Sequence, residues 1–329
     1  MSNFINFLTA GILAAAPLLF GLLGELLTEK SGNLNLGVEG MMFMGGIAGI
    51  AGVYYYEKAG GTNPWLALVI ALVCSLLCAG LGALIFSVLT ITLRANQNVT
   101  GRALTMFGVG FGNSFGEAIG NADPSGFLSV SAGVKGLFNS PVFPAPLVNI
   151  PYIGKVLFSH NFMVYLSIVL AVLMAWFLNR TRAGLNLRAV GESPATADAA
   201  GINVTKYKYL ATCVGGAMTG LGGLYLVMNA AAGVGGAWVH NCIDGYGWLA
   251  VALVIFAVWS PRRALWCSLI FGGLSCMRYY YPISFIPASI YDILPYLVTA
   301  VVLVFVSLKH SRANQPPASL GLSYFREDR

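Results

Sequence analysis

Residues 65–92 read WLALVIALVCSLLCAGLGALIFSVLTIT and contain no charged side chain. A helix needs about 20 mainly apolar residues to cross a bilayer, and this stretch is longer. The rest of the chain is similar, since 57% of its 329 residues are hydrophobic and 9% are charged, against about 25% charged in a soluble domain. The composition excludes an ordinary soluble enzyme and predicts an all-α fold, a polytopic transmembrane helical bundle.

Other apolar runs predict the remaining spans of a single transmembrane domain over residues 1–329. They lie near residues 4–27, 37–56, 99–120, 161–178, 209–230, 247–260, 264–281 and 292–308. The first run lacks the basic start and small-residue cleavage site of a signal peptide, so we expect it to be retained. We therefore predict nine or ten spans, with broken or re-entrant segments where glycines cluster.

The distribution of basic residues predicts the orientation, because cytoplasmic loops carry an excess of Lys and Arg. With nine alternating spans and the N-terminus outside, the outer segments hold only Lys58, Lys135 and Lys155. The inner segments hold Lys30, Arg94, Arg102, Arg180, Arg182, Arg188, Lys206, Lys208, Arg262, Arg263, Lys309, Arg312, Arg326 and Arg329. A re-entrant element upstream would move the N-terminus to the other side, but the C-terminus is expected in the cytoplasm.

Three segments outside the spans have distinct expected roles. Residues 121–160 contain five prolines and scattered aromatic residues, which predicts an ordered outer cap. Residues 179–208 form a polar inner loop, in which Ser193, Pro194 and a later Gly201 are typical of the start and end of a short helix. Residues 309–329 are expected to form a cytoplasmic tail.

Two glycine-rich stretches, GNLNLGVEG at 32–40 and AAAGVGGAWVHNCIDGYG at 230–247, interrupt the apolar runs. Interruptions at comparable positions of two halves indicate the central site of a transporter. Polar groups at membrane depth are costly and tend to face a cavity. The candidate pathway residues are Asn35, Gly37, Glu39, Asn113, Asp244, Tyr246 and Trp248. The alternatives are that Glu39 bonds local backbone N–H groups and that the last three residues are interfacial anchors.

Several kinds of chemistry are absent from the sequence. It has no phosphate-binding G-x-x-x-x-G-K-[ST] motif, so ATP hydrolysis would need another chain. The six cysteines and three histidines follow no catalytic, disulfide or metal spacing, and no catalytic residue, metal site or cofactor is predicted. The Lys and Arg residues that give the net charge of +6 lie between the spans and form no basic stripe interleaved with aromatic residues. Nucleic acid is therefore not an expected partner.

Six stretches in order give the chain a resemblance to a known family. They are TEKSGNLNLGVEGMMFMGG at 28–46, RANQNVTGRALTMFG at 94–108, PYIGKVLFSH at 151–160, AGLNLRAVGESPATADAAGIN at 183–203, GYGWLAVALVIFAVWSP at 245–261 and IYDILPYLVTAVVL at 290–303. Together they resemble the nucleoside-type ABC importer permeases, particularly the shorter of the two subunit types. The wider branch includes ribose and branched-chain amino-acid permeases. The family pattern has Gly where this chain has Ala257, and a small or apolar residue where it has Glu25.

The resemblance implies a permease in a bacterial inner membrane and a set of partners. These are a second permease subunit, an ABC ATPase with two cassettes, and a lipoprotein that binds nucleosides. Residues 191–203 would form the coupling helix that docks on the ATPase, through Gly191, Glu192, Ser193, Pro194, Ala199 and Gly201. A permease of simple sugars and a stand-alone secondary carrier for a small polar solute are the alternatives.

Overall fold

The computed structural model describes residues 2–230, 233–282, 287–308 and 315–325. In these residues the chain is helical, and its one β-bridge joins Ser129 and Ala237. The helices are α1 (Ser2–Lys30), α2 (Val38–Lys58), α3 (Pro64–Ser87, extended by a wider turn over Val88–Thr92), α4 (Gln97–Ala122), α5 (Ala132–Asn139), α6 (Ala145–Val148), α7 (Ile153–Phe158), α8 (Phe162–Arg180), α9 (Arg182–Glu192), α10 (Pro194–Ala199), α11 (Val204–Met228), α12 (Tyr246–Phe256), α13 (Pro261–Tyr280) and α14 (Ala288–Leu308). The all-α prediction is confirmed.

Four of these helices are long and apolar enough to cross a membrane, namely α1, α3 with its extension, α8 and α11. They correspond to the runs predicted near 4–27, 65–92, 161–178 and 209–230. The other five runs coincide with α2, α4, α12, α13 and α14, of which α12 and the stretch Ile293–Val302 of α14 are recognised as shorter apolar helices. The run at 247–260 was predicted too long, because α12 ends at Phe256 and residues 257–260 form a turn into α13.

The centre of the bundle is formed by α1, α2 and α11, with α3 and α13 packed against them. Glycines allow these helices to approach closely, as small residues do in membrane proteins. A Cβ on Gly45 of α2 would overlap the backbone of Gly220 in α11, and one on Gly24 of α1 would overlap Gly215. The central helices are therefore held in register by positions that accept no side chain.

The segment predicted as an outer cap, 121–160, contains the short helices α5, α6 and α7. Helix α5 packs on α3 and α11, and α7 packs on α1. Asp123 accepts hydrogen bonds from the Ser125 side chain at 2.6 Å and the Tyr54 hydroxyl at 2.7 Å. The bonds from Ser125 and Tyr54 lower the pKa of Asp123 to about 2. The carboxylate thus joins the end of α4 to α2 in its ionised form.

Candidate functional site

The first glycine-rich break, residues 31–37, is held by side chains from α1 and α4. The backbone N–H of Asn35 donates to the Glu25 side chain at 2.9 Å, and the backbone N–H of Leu34 donates to the Gln97 side chain at 2.7 Å. The Asn35 side chain in turn accepts from the N–H of Gly37 at 2.9 Å. Only 1% of Asn35 is exposed. In this conformation Asn35 and Gly37 are buried, and their hydrogen bonds shape the break.

Glu39 connects the first break to the second. One carboxylate oxygen accepts from the N–H of Gly245 at 2.6 Å, and the other accepts from Gly247 at 2.8 Å and Trp248 at 3.1 Å. These donors lie at the start of α12, where helix N–H groups lack intrahelical partners and a negative charge is favourable. A Cβ on Gly247 would overlap the backbone of Glu39. The carboxylate of Glu39 therefore fixes α12 against α2.

The second break is also held by α4. The side chains of Asn113 and Asn241 bond at 2.7 Å, and the Asn241 N–H donates back to Asn113 at 3.1 Å. The Nδ1 atom of His240 and a carboxylate oxygen of Glu117 share a hydrogen bond at 2.6 Å, with both side chains more than half exposed. Asn113 was a candidate for solute contact, but it is 7% exposed and already engaged with the break. Helix α4 and residues 240–241 thus form one continuous surface.

The exposed side of α4 differs in character from that of α3. The exposed residues of α3 are all apolar, including Trp65, Val69, Leu77 and Leu81, as expected of a face in contact with lipid. The exposed side of α4, which we call the α4 open face, includes polar residues and glycine among its aromatic ones. It comprises the exposed residues Arg102, Met106, Phe107, Gly110, Ser114, Phe115 and Glu117, together with Phe111, which is half-buried against the core. Its two charged residues, Arg102 and Glu117, lie within the first and last two turns of α4, and a charged group favours water or protein over hydrocarbon.

Three phenylalanines form a ladder along the α4 open face. Phe107 and Phe111 are 6.0 Å apart between ring centroids, and Phe111 and Phe115 are 4.5 Å apart. Successive members are four residues apart, which places them on one side of a helix. The sequence analysis missed this ladder, although the spacing of the three Phe within the run 99–120 was the signal that could have revealed it. Such rings present flat apolar surfaces to a planar group.

The last three candidate pathway residues lie at the start of α12. Asp244 and Tyr246 line a cavity of about 620 Å³ together with Tyr279, Tyr291 and Tyr296, whereas Trp248 is 41% exposed. The seven candidates therefore do not form one cluster. Four of them hold the breaks in place, and Asp244 and Tyr246 line a tyrosine-rich cavity.

The candidate coupling segment is helical as predicted, with Ser193 preceding α10, Pro194 as its first residue and Gly201 beyond its end at φ +81°. Gly191 is buried, and a Cβ there would overlap the carbonyl of Lys30 at the end of α1. Glu192 and Ala199 are exposed. The segment thus packs against the C-terminal end of α1, and its opposite side is exposed.

Residues 315–325 pack beneath this segment, which the expectation of a simple tail did not include. The Ser319 N–H donates to the Gly191 carbonyl at 3.0 Å, and the Ala318 N–H donates to Glu192 at 3.3 Å. The Tyr324 hydroxyl donates to Asp198 at 2.8 Å. The guanidinium of Arg94 lies 4.5 Å from the ring centre of Phe325. The described part of the tail joins α9 and α10 to the turn before α4.

Comparisons with known proteins identify the family of the chain. A family described as "Branched-chain amino acid transport system / permease component" matches residues 7–306. A putative glucose ABC transporter permease protein of Haloferax volcanii is 34% identical over 84% of this chain and 78% of its own. The guanosine ABC transporter permease protein NupQ of Bacillus subtilis is 32% identical over 97% and 96%, and the nucleoside ABC transporter permease protein NupC of Lactococcus lactis is 31% identical over 98% of both. No solved structure matches.

Proposed function

This chain belongs to the permease component family of branched-chain amino acid transport systems, and we propose that the cargo of this ABC transporter permease subunit is a nucleoside. The chain is a multi-pass membrane protein and a transport subunit, not an enzyme. The observation that carries the proposal is that two nucleoside permeases are similar to it over nearly its whole length. The aromatic ladder of the α4 open face supports it, because a nucleobase is planar and stacks on such rings.

We propose that nine segments lie in the membrane, with α12 as a half-length segment that begins at the second break. The four apolar helices α1, α3, α8 and α11 surround or cross the centre, and α2, α4, α13 and α14 are long enough to join them. Broken helices are tolerated at membrane depth where protein or a cavity satisfies their backbone groups. The C-terminus would be cytoplasmic, in the inner membrane of a bacterium.

The pathway would run along the α4 open face, between this chain and a second permease subunit. An ATPase with two cassettes would dock on α10, and a lipoprotein would deliver the nucleoside from outside. ATP binding would move α10 and, through the contact of Gly191 with Lys30, the C-terminal end of α1. The Glu39 contacts would pass that movement to α12 and the second break. Asn35, Gly37 and Asn113 would act as positioning residues, while Asp244, Tyr246 and Trp248 would shape the inner wall near the break.

A simple sugar is the second candidate, because the putative glucose permease is 34% identical over most of the chain. Uptake separates the two: cells with this chain and its natural partners should accumulate radiolabelled guanosine or uridine, and deletion of this chain should reduce that uptake at least tenfold. A hundredfold excess of glucose should leave it unchanged. Nucleoside uptake retained in the deletion strain, together with a loss of its glucose uptake, would favour a simple sugar as the cargo.

The ladder gives a specific prediction about the cargo. Replacing Phe111 by leucine keeps the apolar volume but removes the stacking surface, which is worth about 1–3 kcal/mol per base in other proteins. We expect Phe111→Leu to raise the KM for nucleoside uptake about fivefold or more. Phe111→Tyr, which keeps an aromatic ring, should have the KM of the unmodified chain. The matched control is Leu77→Ala on the apolar face of α3, which should leave KM unchanged. Equal KM values in Phe111→Leu and the unmodified chain would exclude stacking at this ring.

A further inference from the structure

A polar cavity of about 920 Å³ lies beside α10 and the first turns of α11, apart from the α4 open face. The side chains of Asn33, Gln97, Lys208 and Tyr324 are among those that line it, and so are Arg94 and Lys206. A volume of this order accommodates a small organic ligand. Asp198 and Gly201 of the coupling segment belong to its wall, but no step of the proposed transport mechanism uses the interior of the cavity.

Lys208 is the unusual member of the lining. It is 3% exposed, whereas its neighbour Lys206 is exposed. Within the described residues, no carboxylate lies within ion-pair distance of Lys208 and no acceptor bonds its amine. The one acidic side chain in the lining, Asp198, accepts a bond from Tyr324. A charge of this kind is costly to bury without a partner. The excess of Lys and Arg in cytoplasmic loops explains the exposed Lys206, but it does not explain why the Lys208 side chain is buried.

A second unsatisfied group lines the same cavity. The side-chain nitrogen of Asn33 donates to Thr212 at 3.1 Å, but its oxygen is buried without a hydrogen-bond partner. Lys208 therefore presents a cation to the cavity from an otherwise buried side chain, the Asn33 oxygen is buried in its wall, and Arg94 and Lys206 add two further cations at the rim. A ligand that satisfies both groups must carry a negative charge and at least one donor.

We propose that this cavity binds a phosphate oxyanion on the inner side of the membrane, with Lys208 as its principal contact. A phosphate group offers several acceptor oxygens to Lys208 and Arg94, and a monoester or free phosphate also carries a P–OH that can donate to Asn33. The same chemistry comes from two sources, a soluble phosphate compound or the headgroup of an anionic lipid. Because Asp198 of α10 and Tyr324 form part of the wall, a bound anion would lie next to the coupling segment.

The test is binding of ³²P-orthophosphate to the full-length chain, purified in dodecyl maltoside and measured by equilibrium dialysis. We expect one saturable site. Lys208→Met should raise its Kd at least tenfold, and Asn33→Asp should do the same because the new carboxylate neutralises Lys208. The matched control Lys206→Met removes the same charge from an exposed position and should change Kd less than twofold. Removing residues 326–329, which include Glu327 and Asp328, should also leave Kd unchanged.

Short-chain phosphatidylglycerol, added below its micelle concentration, distinguishes the two sources. Competition with orthophosphate would assign the site to a lipid headgroup, and lack of competition would assign it to a soluble phosphate. Absence of saturable binding would overturn the proposal, as would an equal loss of binding in Lys206→Met and Lys208→Met. Binding that is detected only after residues 326–329 are removed would overturn it too, since the chain's own carboxylates would then be the partner of Lys208. Each variant should elute as a single peak in size-exclusion chromatography. Lys208→Arg preserves the charge and so checks that the loss of binding in Lys208→Met comes from the missing charge.

Discussion

Replacement of Glu39 by glutamine is expected to reduce uptake more than tenfold and to lower the thermal stability of the purified chain. Glu39 accepts three hydrogen bonds from backbone N–H groups at the start of α12. Glutamine replaces one carboxylate oxygen by an NH₂ group, which would face a backbone N–H donor of α12. It also removes the negative charge at the helix N-terminus. A buried group left without its partner costs about 1–3 kcal/mol. The readouts are nucleoside uptake and the midpoint of heat-induced aggregation in detergent.

The matched control is Glu25→Gln, also at a buried carboxylate. One oxygen of Glu25 accepts from the N–H of Asn35, and the other has no partner. Glutamine keeps the acceptor that Asn35 needs, so this variant should retain uptake within about threefold. If Glu39→Gln is as active as Glu25→Gln, then the carboxylate does not hold α12, and the link between the two breaks must lie elsewhere.

A tryptophan at Ala199 is expected to uncouple transport from ATP hydrolysis. Ala199 is exposed on α10, and an indole there would prevent close docking of the helix in a groove of the ATPase. Uptake should fall at least tenfold, while ATPase activity of the purified complex should persist and lose its stimulation by the loaded binding protein. Because Ala199 has an open environment, the variant should insert and fold normally.

Ala59→Trp is the control for this substitution, since Ala59 is also exposed but follows α2 at the other end of the bundle. It should leave both uptake and stimulated ATPase unchanged. Normal uptake in Ala199→Trp would refute the role of α10 in coupling. A complete loss of ATPase copurification would instead show that α10 contributes to affinity, and it would require a smaller residue such as leucine at this position.

Local signals in the sequence were sufficient for much of the fold. The uncharged run 65–92 identified α3 almost to its ends, and Ser193, Pro194 and Gly201 identified α10, because capping residues and apolar length act within a few residues. The two breaks were also recognised from their glycines and asparagines. The end of α12 was placed too late, since the turn at 257–260 consists of residues that are apolar enough to continue a helix.

Contacts between distant segments could not be predicted in the same way. Glu39 was weighed as a carboxylate near a helix end, but its partners are more than two hundred positions away along the chain. The pairing of Asn113 with Asn241 spans 128 positions, and the contacts of residues 315–325 with α9 and α10 span 126 to 128. Such contacts depend on how the helices assemble, which hydropathy and capping do not specify.

The most direct test of the proposed pathway is the water accessibility of the α4 open face in the assembled importer. Ser114→Cys and Val73→Cys, the latter on the apolar face of α3, would be labelled with a membrane-impermeant thiol reagent, and labelling of the parent chain would be subtracted. We predict that Ser114→Cys is labelled, that nucleoside delivered by the binding protein slows its labelling, and that Val73→Cys is unreactive. Labelling of Ser114→Cys only by a lipid-soluble reagent, as for Val73→Cys, would contradict the pathway.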